Sequence, residues 1–179
     1  MATEAELRQH RCCFTGHRPE KLAYSEEEIK HALETEITSA IRDGFTVFIS
    51  GMARGVDIWA AEIVLALHDA GQPIRLICAC PYPGFEQGWG ENWQTRYRAI
   101  LSAADLVRHI QREYSRGCFQ RRNEWMVDHS ARVIAVFNGQ PSGTKNTIVY
   151  AQKTGVPIRM IRSERSERGV EFGQHSQKE

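Results

Sequence analysis

The chain has 179 residues, 41% of them hydrophobic and 25% charged, a composition that suits one globular domain with a sizeable core. Lys and Arg number 23 against 22 Asp and Glu, which argues against a dedicated nucleic-acid binder with a broad basic face but leaves room for a local basic pocket. No apolar run approaches the ~20 residues of a membrane span, and the polar start with Glu4 and Glu6 has no apolar signal core, so a cytoplasmic protein without a membrane partner is expected.

Residues 11–15 (RCCFT) form the first strand-like run. It leads into Thr15-Gly16-His17-Arg18, which sets a hydroxyl, a titratable imidazole and a guanidinium straight after a strand, where loops commonly carry function. A helix follows. Ser25 and Glu28 make a capping box, Ile29, Leu33, Ile37 and Ile41 repeat every four residues as one apolar stripe, and Asp43-Gly44 stops it.

Residues 45–49 (FTVFI) read as a buried strand that ends in Ser50-Gly51-Met52-Ala53-Arg54-Gly55 and passes directly into a second helix. Such a turn makes an anion site, because glycine lets the backbone come close to a ligand and the first N–H groups of a helix have no internal partner. Arg54 adds a planar, permanently charged fork. Asp57 reads either as a favourable first-turn acid or as an acceptor for a ribose hydroxyl, and Glu62 as a solvated helix acid. Trp59, Ile63, Ala66, Leu67 and Ala70 give this helix its apolar face, and Gly71 ends it.

Residues 73–80 (PIRLICAC) are a third strand, closed by Pro81-Tyr82-Pro83-Gly84 and a Gly-rich loop holding Trp89. A helix with Trp93, Tyr97, Ile100, Leu101 and Ala104 comes next, then a short strand at 105–110 and a helix at 118–130. On that last helix Arg122 shares a face with Phe119 and Met126 and is the arginine expected to face a pocket. Residues 132–138 (RVIAVFN) are another buried strand, and Asn138, Gly139, Ser142, Gly143 and Thr144 form a second small-residue turn before a helix expected from Thr144 to Lys153. This turn lacks the G-K-[ST] of a Walker A loop, so it reads as a phosphate cradle of another kind, with Thr144 as a candidate N-cap. A last strand at 158–161 precedes a charged, polar segment, 163–179, expected to be disordered.

Alternating strands and helices point to an α/β fold: a mostly parallel sheet of five to six strands with helices on both faces. One domain, residues 10–162, accounts for all of them. Ligands in such folds sit beyond the carboxyl ends of the strands where strand order reverses, which would bring together the turns at Gly16, Gly51 and Gly143. The five cysteines, Cys12, Cys13, Cys78, Cys80 and Cys118, read as buried reduced thiols, and no ligand spacing for a metal is present.

SGMARGVDIWAAE, with TGHRPEK upstream and RRNEWMVDHS and VIAVFNGQPSGT downstream, resembles the YpsA-like family of the SLOG group. That group also contains the DNA-processing protein DprA and the LOG phosphoribohydrolases. The resemblance covers residues 12–161 and implies a three-layer Rossmann-like fold that binds or senses a nucleotide or nucleotide derivative, with no other cofactor. Homo-oligomers are implied only by analogy with the group. Under this reading Gly51, Arg54, Gly55, Gly143 and Thr144 hold phosphate, and His17, Asp57 and Arg122 contact ribose or the rest of the ligand; Thr15, Gly16, Arg18, Ser50, Met52, Ala53, Asn138, Gly139 and Ser142 complete the site. LOG enzymes cleave the N-glycosidic bond of a nucleotide with the glutamate of P-G-G-x-G-T-x-x-E. Here Gly143-Thr144 match G-T and Arg122 matches the LOG arginine, but Thr147 stands at the glutamate, so hydrolysis would fall to Asp57 or Glu62. DprA carries S-G-x-A-R-G-x-D, matched by Ser50, Gly51, Ala53, Arg54, Gly55 and Asp57, in a surface that binds single-stranded DNA. The near-neutral charge weighs against that alternative.

Overall fold

The computed structural model describes residues 1–163. Six strands, β1 (Arg11–Gly16), β2 (Val47–Ser50), β3 (Arg75–Cys80), β4 (Leu106–His109), β5 (Arg132–Phe137) and β6 (Ile158–Arg162), form one sheet in the order β4-β3-β2-β1-β5-β6. Every neighbouring pair is parallel. The helices are α1 (Glu4–Arg8), α2 (Glu26–Arg42), α3 (Val56–Asp69), α4 (Glu91–Ala103), α5 (Cys118–Asp128) and α6 (Gly143–Thr154), with a 3-10 turn at Pro19–Lys21.

The apolar runs are strands buried on both faces, and their alternate residues sort into two cores. Cys12, Phe14, Phe48, Leu76, Cys78, Ile134 and Val136 pack with α2, α3 and α4 on one side. Cys13, Ile49, Ile77, Ala79, Val133 and Ala135 pack with α5 and α6 on the other. This is the three-layer arrangement that the strand–helix alternation predicts. The Ser25–Glu28 capping box forms, and Ile29, Leu33, Ile37 and Ala40 are the buried stripe of α2. All five cysteines are buried free thiols.

Three expectations shift. Ser142, not Thr144, caps α6, its hydroxyl accepting from Lys145 N–H at 3.1 Å. Helix α5 stops at Asp128, two residues short of the expected end. The tail expected at 163–179 lies outside the described residues except for Ser163, which is buried; its N–H donates to Phe137 O at 2.9 Å and its hydroxyl accepts from Ala23 N–H at 3.1 Å. No described helix is long and apolar enough to cross a membrane.

Strand order reverses between β1 and β5. The carboxyl ends of β2, β1 and β5 therefore open their turns side by side, as the switch-point rule requires.

Candidate functional site

A cavity of about 660 Å³ lies over these strand ends. Its wall takes Thr15, Gly16, His17, Arg18 and Lys21 from the end of β1, Ala53, Arg54 and Asp57 from the start of α3, and Ser142, Gly143 and Thr144 from the start of α6. Helix α5 adds Phe119, Arg122 and Asn123, and the loop after β3 adds Phe85, Gly88 and Trp89.

The turn before α3 is built around two glycines. Gly55, the N-cap, holds φ +92°, and a side chain there would meet His17 O at 2.7 Å and Pro19 Cδ at 2.9 Å. Gly51 is crowded by Asp57, Met126 and Arg122. Met52 takes φ +60° while its side chain is fully buried, an uncommon backbone region for a non-glycine residue. Because Gly55 offers no side-chain cap, the first N–H groups of α3 remain open. Ser50 shapes the turn from beneath: its hydroxyl donates to Asp57 O at 2.8 Å and accepts from Met52 N–H at 3.2 Å.

Asp57 and Arg122 form the floor, each only 5% exposed. Asp57 Oδ2 accepts from Ala53 N–H at 3.2 Å, whereas Oδ1 is buried without a partner. Burial raises the Asp57 carboxyl to about 6, against the opposing pull of Arg122 and the Ala53 N–H. Arg122 donates through Nη1 to Gly51 O and through Nε to Asn123 Oδ1 (2.8 Å). Burial lowers its pKa, with Asp57 the largest opposing influence.

His17 is 5% exposed and stacks on Phe137. Its Nε2 accepts from Asn138 N–H at 3.2 Å, so the neutral ring carries its proton on Nδ1. Burial, aided by Lys21, lowers its pKa. Asn138 Nδ2 donates in turn to Lys21 O at 2.9 Å, tying the β1 turn to the β5 turn. Arg54 reaches Glu20 at 3.6 Å and is only partly exposed.

Of the residues expected at the site, Thr15, Gly16, His17, Arg18, Ala53, Arg54, Asp57, Arg122, Ser142, Gly143 and Thr144 border one cavity. Ser50, Gly51, Met52, Gly55, Asn138 and Gly139 belong to the same turns but do not line the cavity, Ser50, Gly51, Met52 and Gly55 being buried and Gly139 exposed. Glu62 is elsewhere. It bridges α3 to α2 and α4 through Lys30 (2.8 Å) and Arg96 (2.6 Å). Burial alone would raise its pKa, but hydrogen bonds from Arg96 and Lys30 outweigh that and lower it. In place of the expected solvated acid stands a member of an ion-pair network, and Glu62 is not among the residues that line the cavity. Thr147, at the LOG glutamate position, is fully buried and donates to Gly143 O at 2.9 Å.

Lys21, Asn123, Phe85, Gly88 and Phe119 border the cavity without having been singled out as ligand contacts. Lys21 belongs to the TGHRPEK motif and Asn123 adjoins Arg122, so their neighbours were the only available signal. Trp89 both borders the cavity and packs edge-on against Phe85 and Tyr97. Among the described residues no group of three or more His, Cys, Asp or Glu is placed to hold a metal ion.

The model of YpsA, the YspA SLOG family, matches residues 12–165. The chain belongs to this family. Its relatives include a UPF0398 protein of Bacillus thuringiensis strain Al Hakam, 33% identical over 148 residues that cover 78% of this chain and 80% of that protein. The SPbeta prophage-derived protein YoqJ of Bacillus subtilis strain 168 is 33% identical over 119 residues, 60% of this chain and 70% of YoqJ. Among solved structures, this YpsA-family fold is similar to DNA processing protein A (DprA) from Streptococcus pneumoniae, with TM-score 0.64, 19% identity and 90% of this chain covered. It is also similar to DprA from Helicobacter pylori, a protein with a described single-stranded DNA binding mode, with TM-score 0.60, 20% identity and 88% covered. The chain spans 53% and 66% of those two proteins respectively, and at such identities the likeness is one of fold.

Proposed function

We propose that the cavity binds a phosphate-bearing nucleotide or nucleotide-derived small molecule. One observation carries this reading: the starts of α3 and α6 meet at the same cavity wall together with Arg18, Lys21, Arg54 and Arg122, against a single carboxylate, Asp57. Helix N-termini and guanidinium groups both favour phosphate. The aromatic side chains on the same wall suit a base, and the volume lies in the range of small-ligand sites.

The test is a thermal-shift panel of nucleoside monophosphates, NAD, ADP-ribose and cyclic dinucleotides. At least one should raise the melting temperature, and Arg54→Ala should weaken its binding by about 1.5–3 kcal/mol, the range for a hydrogen bond to a charged group. If no compound shifts the melting temperature at millimolar concentration, the reading fails.

Asp57 supports a second reading, turnover at the N-glycosidic bond, because a carboxyl raised to about 6 is poised for acid–base work near neutrality. Free base in a chromatographed incubation, lost in Asp57→Asn, would establish it. Fold likeness to DprA supports single-stranded DNA as a third, for which affinity should fall steeply with salt.

A further inference from the structure

The segment that joins β4 to α5 concentrates positive charge. Residues 108–121 hold four arginines, Arg108, Arg112, Arg116 and Arg121, against one acid, Glu113, so this stretch carries +3 while the whole chain carries +1. All four arginines are exposed. Elsewhere Arg11, Arg54, Arg96 and Arg132 each lie beside a carboxylate. Among the described residues no carboxylate lies within ion-pair distance of Arg108, Arg112, Arg116 or Arg121. Like charges gathered without counter-charge repel one another, and an anionic partner relieves the repulsion.

The same segment is tied down and carries exposed rings. The N–H groups of Ile110 and Gln111 donate to Cys80 O (2.9 Å) and Pro81 O (3.0 Å) at the end of β3. The Ser115 hydroxyl donates to Gln111 Oε1 at 2.8 Å and accepts from Arg121 Nη1 at 3.4 Å, and the Arg108 guanidinium lies 5.5 Å from the centre of the Trp125 ring. Tyr114 is 65% exposed and Phe119 45%; Tyr82 stands between them, its ring 5.8 Å from one and 6.4 Å from the other. Arginines and open rings thus alternate along the chain as Arg112, Tyr114, Arg116, Phe119 and Arg121. A duplex would answer the guanidinium groups and leave the rings in water. A single strand answers both, with its phosphates on the arginines and its unstacked bases on the rings.

We propose that the β4–α5 segment is a docking surface for single-stranded nucleic acid. It is a different element from the S-G-x-A-R-G-x-D turn after β2, and it is independent of the small ligand of the cavity. The two adjoin at Phe119, which also borders the cavity.

Fluorescence anisotropy with labelled oligo-dT and oligo-U of ~12 nucleotides, within the usual site size of single-strand binders, tests this on the unmodified protein. At least one should bind, with log K falling against log salt at a slope of roughly −2 to −3, as for three to four phosphate contacts. The tighter of the two assigns the strand as DNA or RNA. Arg112→Ala and Arg116→Ala should each reduce the slope by about 0.7. Tyr114→Ala should weaken binding ~5-fold or more and leave the slope in place. A duplex of the same length offers no free base to Tyr114 and should bind at least ~5-fold more weakly. Absence of binding, a duplex or poly-glutamate that competes as well as the single strand, or a slope untouched by either arginine variant overturns the inference. Loss of strand binding in Arg54→Ala but not in these variants overturns it too, since the strand would then lie in the cavity.

Discussion

Asp57→Asn should make the unliganded protein more stable, by an amount that grows as pH rises from 3.8 and is complete above about 6. The Asp57 carboxyl is raised from an ordinary 3.8 to about 6 by burial, with the Arg122 guanidinium and Ala53 N–H failing to compensate; from β1, the Cys13 thiol also faces it electrostatically. A folded-state pKa above the unfolded one means that the folded chain holds the proton more tightly. This group therefore favours folding least once it is ionised in both states: its contribution is intact below 3.8 and is lost as pH rises through about 6. About 2 pKa units at 1.36 kcal/mol each is about 3 kcal/mol. Asparagine has the same shape, keeps an acceptor for Ala53 N–H and carries no charge. Urea unfolding at pH 8 should then show the variant about 3 kcal/mol more stable, or roughly 6–12 °C higher in Tm for a chain of this size. At pH 3.5 the two proteins should coincide. A variant equally or less stable at pH 8 would refute the reasoning, because attraction to Arg122 would then outweigh the burial of the carboxylate.

Two further outcomes follow from packing and charge. A Cβ at Gly16 would lie 2.5 Å from the side chain of Val56, the fully buried first residue of α3, so Gly16→Ala should cost ~1–3 kcal/mol of stability by overpacking and weaken nucleotide binding by displacing the α3 start; a variant with unchanged unfolding and binding would show that α3 can move freely. Glu62→Gln should cost about 1 kcal/mol or less, as for partly exposed ion pairs, with the loss present above pH 4.5 and disappearing as pH falls through the lowered Glu62 pKa. Ligand-induced thermal shifts should be unchanged in this variant, and loss of a measured base-releasing activity would return Glu62 to the site.

The strands were legible because buried parallel strands are short continuous apolar runs, and the helices because stripes such as Ile29, Leu33 and Ile37 repeat with helical spacing. Helix α1 was not. Thr3 and Glu6 do form a capping box, but α1 has no buried residue, so no apolar periodicity marks it. The turns at Gly16, Gly51 and Gly143 announced themselves as strand-to-helix junctions. Their division of labour did not, since Ser50 and Arg122 are both polar residues near the site and only packing shows that one shapes the turn while the other borders the cavity. Phe85 and Phe119 are 34 positions apart in the chain and meet at 6.5 Å, a contact that no local pattern encodes. Glu62 read as solvated for a related reason: its partners Lys30 and Arg96 are 32 and 34 residues away.

The pairing of β1 with β5 sets Cys12 against Arg132, and His17 meets Asn138 across 121 positions. Closing so long a loop is entropically costly, and non-local strand pairing is slow. During synthesis β1 through β4 emerge before the partner that completes the cavity, so the site comes into being only when β5 and α6 dock. A local opening of that edge would erase the site while leaving the other strands paired. Any molecule that touches both α3 and α6 is a clasp across this late-formed seam, and at a hundred times its Kd it would add about 2.7 kcal/mol to the folded state. Occupancy would then be readable as protection of the β5 and β6 amides from hydrogen exchange.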